Sequence, residues 1–111
     1  MATGNAILEV NDDNFATAVE GNQGLSMVDF WAVWCGPCRM VAPVVEQLAA
    51  EYGPLGLRVA KMDVDANPST PSRFGIRSIP TILFFKGGKL VDQVIGFVPK
   101  PHLEERIKKH L

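Results

Sequence analysis

Two cysteines separated by two residues, Cys35 and Cys38, are the only cysteines in the 111-residue chain. The segment Trp34-Cys35-Gly36-Pro37-Cys38 lies between an apolar run, Met27 to Val33, and a stretch of helical periodicity. A sulfur at the position that caps a helix accepts bonds from free backbone N–H groups, that of Cys38 among them, and lies at the positive end of the dipole. Both effects favour the thiolate. Cys35 therefore reads as a nucleophile of lowered pKa, and Cys38, one turn further in, as a shielded resolving thiol.

Other uses of the pair fit less well. Zinc requires four ligands, and the remaining candidates, His102 and His110, stand eight residues apart on one predicted helix. That separation is about 12 Å, so both cannot join the cysteines around one ion, and no metal is expected. A purely structural crosslink closing so short a loop would contribute only about 2 kcal/mol through chain entropy. Two cysteines are also too few for the framework of a small secreted protein.

Asp29 is the next candidate, the lone charge in Met27-Val28-Asp29-Phe30-Trp31-Ala32-Val33, a run apolar on both parities like a central strand. Desolvation there raises a carboxyl pKa toward the range of a general base, which assigns Asp29 to proton transfer with Cys38. The alternative is a satisfied buried carboxylate paired with Lys61 on the neighbouring strand. Trp34 adjoins the cysteines and offers a partner a partly exposed apolar contact, although tryptophans more often serve packing. Pro80, in Ile79-Pro80-Thr81, stands at the entrance to a strand, where a missing N–H is tolerated. From the sequence alone a trans bond is the default there.

These residues need elements to hold them. Ala6 to Val10 reads as a short strand, and Asn11-Asp12-Asp13 offers caps for a helix that buries Phe15, Ala18 and Val19 and ends at Gly21 and Gly24. From Cys35 to Tyr52 the residues Met40, Val41, Val44, Val45, Leu48, Ala49 and Tyr52 recur at helical spacing, with a kink expected at Pro43. Leu57 to Val64 alternates as a strand, and the turn Asp65-Ala66-Asn67-Pro68 leads to a short helix before Gly75. Thr81 to Lys86 and Lys89 to Ile95 flank Gly87-Gly88, a hairpin signal that makes the last two strands antiparallel. Pro101 opens a final helix with Leu103, Ile107 and Leu111 on its apolar stripe and Glu104, Glu105, Arg106, Lys108 and Lys109 toward water. The sum is an α/β fold, a central five-stranded mixed sheet flanked by four helices, in one domain spanning 1–111.

Eleven Lys and Arg against 12 Asp and Glu leave a formal charge of -1 and no basic block, so no nucleic-acid footprint is visible. Met1 to Ala6 lacks the basic and apolar regions of a signal peptide, and no apolar run reaches membrane-spanning length. A cytoplasmic protein without a membrane partner is the expectation.

Taken in order, Val28-Asp29-Phe30-Trp31-Ala32, Trp34-Cys35-Gly36-Pro37-Cys38, Ala42-Pro43, Ile79-Pro80-Thr81, Phe85-Lys86-Gly87-Gly88 and Gly96 make the chain resemble the thioredoxin family over essentially its whole length. The resemblance implies the thioredoxin fold and a general protein-disulfide reductase that needs no cofactor beyond a redox-active disulfide Cys35–Cys38. It implies a buried proton-transfer Asp29 near a catalytic Lys61, a cis Ile79–Pro80 peptide, and a substrate surface around Trp34, Gly36, Pro37, Ile79, Pro80 and Gly96. A thioredoxin reductase, disulfide-containing target proteins and a monomeric state follow from it as well. Val33 and Phe97 depart from the commoner family pattern, and Arg39 replaces a frequent lysine while keeping a permanent charge. Two rival readings remain: a disulfide oxidase or isomerase of the same fold, against which the uncharged Gly36-Pro37 argues, and a binding subunit without turnover, against which the intact cysteine pair argues.

Overall fold

The structure, a computed structural model, describes residues 7–111. Ala6, the first residue of the expected N-terminal strand, lies outside them. In chain order the elements are β1 (Leu8–Glu9), a π-helix (Ala16–Glu20), β2 (Leu25–Trp31), α1 (Gly36–Tyr52), a 3-10 turn (Gly53–Leu55), β3 (Arg58–Asp63), α2 (Ser69–Arg73), β4 (Thr81–Lys86), β5 (Lys89–Ile95) and α3 (Lys100–His110). The strands form one sheet in the order β1-β3-β2-β4-β5. β1 and β2 run parallel to β3, while β4 is antiparallel to both β2 and β5. This is the mixed five-stranded sheet with four helices that the hydrophobic pattern requires.

Why β2 tolerates so little polarity is plain from its two faces. Leu25 and Met27 pack with Val41, Val45 and Leu48 of α1 and with Leu103 and Ile107 of α3. Val28 and Phe30, of opposite parity, pack with Phe15 and Val19 and with the half-buried Phe74 and Ile76 that follow α2. Strand side chains alternate between faces, so Asp29 shares the face of Leu25 and Met27 and points to the side that α1 covers. At this central position a carboxylate is almost wholly withdrawn from bulk water, Asp29 keeping only 5% of its surface exposed.

Several expectations need correction. The first helix is a five-residue element with wide turns, the Gly21 N–H reaching Ala16 O at 2.7 Å, and no side chain caps it; Asn11 Oδ1 accepts from the Asp13 and Asn14 N–H groups at 2.9 and 2.8 Å in the turn before it. Met40 faces solvent, because the apolar stripe of α1 runs through Cys38, Val41, Val45, Leu48 and Tyr52, about 100° around the helix. Leu111 lies beyond α3 and is exposed. Glu104 and Arg106 are half-buried instead of facing water: Glu104 accepts from Tyr52 Oη at 2.9 Å, and Arg106 pairs with Asp92. No helix of the described residues is long and apolar enough to cross a membrane.

Two anchors bear on the site. Asp12 accepts from the Ser69 and Thr70 N–H groups at 3.1 and 2.8 Å and from Thr70 Oγ1 at 2.7 Å, which fixes the start of α2 and holds the Asp12 carboxyl below its usual pKa. The hairpin between β4 and β5 turns on Gly87 and Gly88, with φ of +59° and +83°, values open to glycine and strained for other residues.

Candidate active site

Cys35 closes β2's exit loop and opens α1. Its φ and ψ of -90° and 110° are those of a cap, Pro37 occupies the first turn where its missing N–H is harmless, and the Cys38 N–H donates to Cys35 Sγ at 3.1 Å. The two sulfurs are joined as a disulfide with Cα atoms 5.3 Å apart. Exposure does not separate the cysteines as the sequence suggested: Cys35 is 3% and Cys38 4% exposed. Their neighbourhoods do. Cys38 lines a cavity of about 280 Å³ with Asp29, Trp31, Arg39 and Lys61, and Cys35 does not.

Asp29 is only 5% exposed, and its Oδ1 has no hydrogen-bond partner among the described residues. Burial pushes its pKa from 3.8 to about 7, against the attraction of the Lys61 charge. The two residues are register partners on adjacent strands, yet among the described residues no ion pair joins them. Lys61 Nζ lies instead 5.4 Å from the centre of the Trp31 ring. The reading of Asp29 as a satisfied, paired carboxylate therefore fails on geometry. A carboxyl that is neutral and charged in comparable amounts near neutral pH, in a cavity shared with a thiol, is placed to exchange a proton.

The remaining sequence-derived residues gather around the cysteines. Ile79 packs against the cluster of Ala32, Cys35 and Cys38, its peptide to Pro80 is cis, and the Gly96 N–H donates to Pro80 O at 2.7 Å. Gly36 and Pro37 are exposed on the first turn of α1, and Trp34 is 67% exposed with its Nε1 donating to Asp65 Oδ2 at 2.8 Å. Val33 and Phe97 add exposed apolar surface, and Arg39 Nη1 donates to Val33 O. Sequence reasoning missed Asp65 and the packing of Val64 on the cysteines. The only signal for either was their place at the end of the strand next to β2. His102 and His110 stay away on α3, where His110 meets Asp92, and no cluster of three metal-binding side chains occurs among the described residues.

A helix-capping disulfide over a buried, titratable carboxyl, with an apolar rim beside a cis-proline, defines a dithiol–disulfide oxidoreductase. A family model described as thioredoxin matches residues 6–109. Thioredoxins of Staphylococcus saprophyticus and Staphylococcus aureus are each 51% identical over 106 residues, covering 96% of this chain and 99% of theirs. The chain belongs to the thioredoxin family. It is accordingly a protein-disulfide oxidoreductase that exchanges its own dithiol for a disulfide without a separate cofactor, and membership of the family implies disulfide-containing targets and a reductase as partners.

Proposed function

We propose that this protein is a monomeric, cytoplasmic general reductant, one domain over residues 1–111, in which Cys35 attacks and Cys38 resolves. A reductase first supplies two electrons and opens the Cys35–Cys38 disulfide. The Cys35 thiolate then attacks one sulfur of a target disulfide, forming a mixed disulfide and releasing the other sulfur as a thiolate. Cys38 gives its proton to Asp29 across their shared cavity, attacks Cys35 Sγ, and releases the second target sulfur, which completes a two-electron transfer. Lys61 serves as a positioning residue whose charge limits how far the Asp29 pKa rises. Trp34, Gly36, Pro37, Ile79 and Gly96 form the surface on which an extended target segment lies, with Pro80 buried beneath it and backbone groups on either side of that proline available to the segment.

The observation that carries this reading is the Cys38 N–H bond to Cys35 Sγ at the opening of α1. In the reduced protein the same donor faces a thiolate, and a bond to an ionised acceptor is about twice as strong as one to a neutral acceptor. Direction toward reduction is supported by Gly36-Pro37, which adds no charge to stabilise the thiolate further. Cys38→Ser is expected to accumulate mixed disulfides with target proteins through Cys35. Loss of trapping on adding Cys35→Ser, together with reduction of insulin disulfides by the wild type in the presence of a thioredoxin reductase and NADPH, checks the assignment. Trapping by Cys35→Ser with Cys38 intact, and none by Cys38→Ser, contradicts it.

A further inference from the structure

Beside Trp34, and sharing no residue with the Cys38 cavity, lies a second groove of about 260 Å³, with apolar walls from Trp34, Val64, Pro71, Ile76 and Ile79. Among the described residues, Arg77 is the only charged one that lines it. The other arginines are engaged: Arg39 with Val33 O, Arg58 with Ala18 O, Arg73 with Glu20 and Arg106 with Asp92. Arg77 is exposed and, among the described residues, has neither an ion pair nor a side-chain hydrogen bond. Asp65, the acid that follows Val64 in the chain, is held by the Trp34 indole and does not line the groove.

We propose that Arg77 is a specificity-determining residue that favours target segments carrying a carboxylate close to the cysteine under attack. The inference rests on the reading of Cys35 as the attacking thiol and deepens it. Ile79 touches both the cysteine cluster and this groove, so a segment whose sulfur reaches Cys35 passes its neighbouring side chains over Trp34 and toward Arg77. An apolar side chain fills the groove. An adjacent Asp or Glu meets a guanidinium fork with all its side-chain donors free, and an adjacent Lys or Arg meets a like charge.

Two disulfide-linked peptides, identical except for Glu or Lys beside the cysteine, test this with the pre-reduced protein in single turnover at low and high salt. The wild type is expected to reduce the Glu peptide about two- to fivefold faster per unit concentration at low salt, the range of an exposed ion pair. The gap should shrink at high salt as the charges are screened. Arg77→Gln should erase the preference and Arg77→Glu should reverse it; because the readout is a ratio within each variant, a general loss of activity does not imitate the result. Equal wild-type rates, or a preference that persists in both variants, overturn the role of Arg77 and leave the reductase reading intact. If the wild type reduces neither peptide, the reductase reading falls and this inference falls with it.

Discussion

Asp29 makes the folded protein less stable than it would be with a neutral side chain in the same place, and the sign is testable. Its carboxyl titrates at about 7 in the fold against 3.8 as a reference. Between those values the unfolded chain has lost its proton while the native state keeps it, so stability falls as pH rises and the full penalty is present above pH 7. The difference corresponds to about 4 kcal/mol. Asp29→Asn should therefore gain on the wild type by about that amount between pH 4 and pH 8, read from denaturant midpoints, and a gap that is constant with pH would contradict it. At this scale the sequence was informative wherever a residue violated its surroundings, as Asp29 does in an apolar strand. It was silent where the decisive contact was long-range: nothing in the order of residues pairs Trp34 with Asp65, sends Lys61 to the Trp31 ring, or makes Cys35 as buried as Cys38.

Elements position these residues through a few backbone commitments, of which the β4–β5 hairpin is the most exacting. A Cβ on Gly88 would stand 2.3 Å from Glu20 O, whereas one on Gly87 meets only Gln23 O at 3.8 Å. Both glycines have positive φ, which disfavours alanine by about 1–2 kcal/mol, and Gly88→Ala adds a collision with backbone. Gly88→Ala should thus lower the urea midpoint clearly more than Gly87→Ala, and equal losses would show that the turn shifts freely. The hairpin was readable because Gly-Gly between alternating runs leaves few alternatives. The π-helix was not, because a 3.6-residue periodicity in so short a segment carries no trace of wider turns. Met40 was misplaced for a related reason: one residue along a helix is a 100° rotation, and apolar character alone does not tell which of two neighbours faces the core.

In the whole molecule, α3 returns to cover the face on which Asp29 lies. It is fixed by Leu103 and Ile107 in the core and by Asp92, whose carboxyl is pushed up by burial but held below its usual pKa by His110, the Gln93 N–H and Arg106. The Cα radius of gyration, 12.6 Å, matches the roughly 13 Å of a single domain near this length. Because both core clusters share the same sheet, Ile107→Ala should cost about 2–5 kcal/mol and unfold in one transition. Tryptophan fluorescence, reporting near the cysteines, and far-ultraviolet circular dichroism should give the same midpoint; separate midpoints would mean that α3 comes away without the site. The mixed five-stranded sheet and its covering helices were legible because each strand's parity demanded a cover, while the order of the strands and the ion pairs of α3 depend on which elements meet in space.

In the proposed mechanism the opening of α1 favours the thiolate of Cys35 over that of Cys38 in the reduced protein. Alkylation rates of the two thiols in the reduced protein, followed against pH and resolved by peptide mass, measure it most directly. Cys35 should react first, with a midpoint well below the roughly 8.5 of a free cysteine. A Cys35 midpoint at the free value, or faster modification of Cys38, would rule out Cys35 as the attacking thiol.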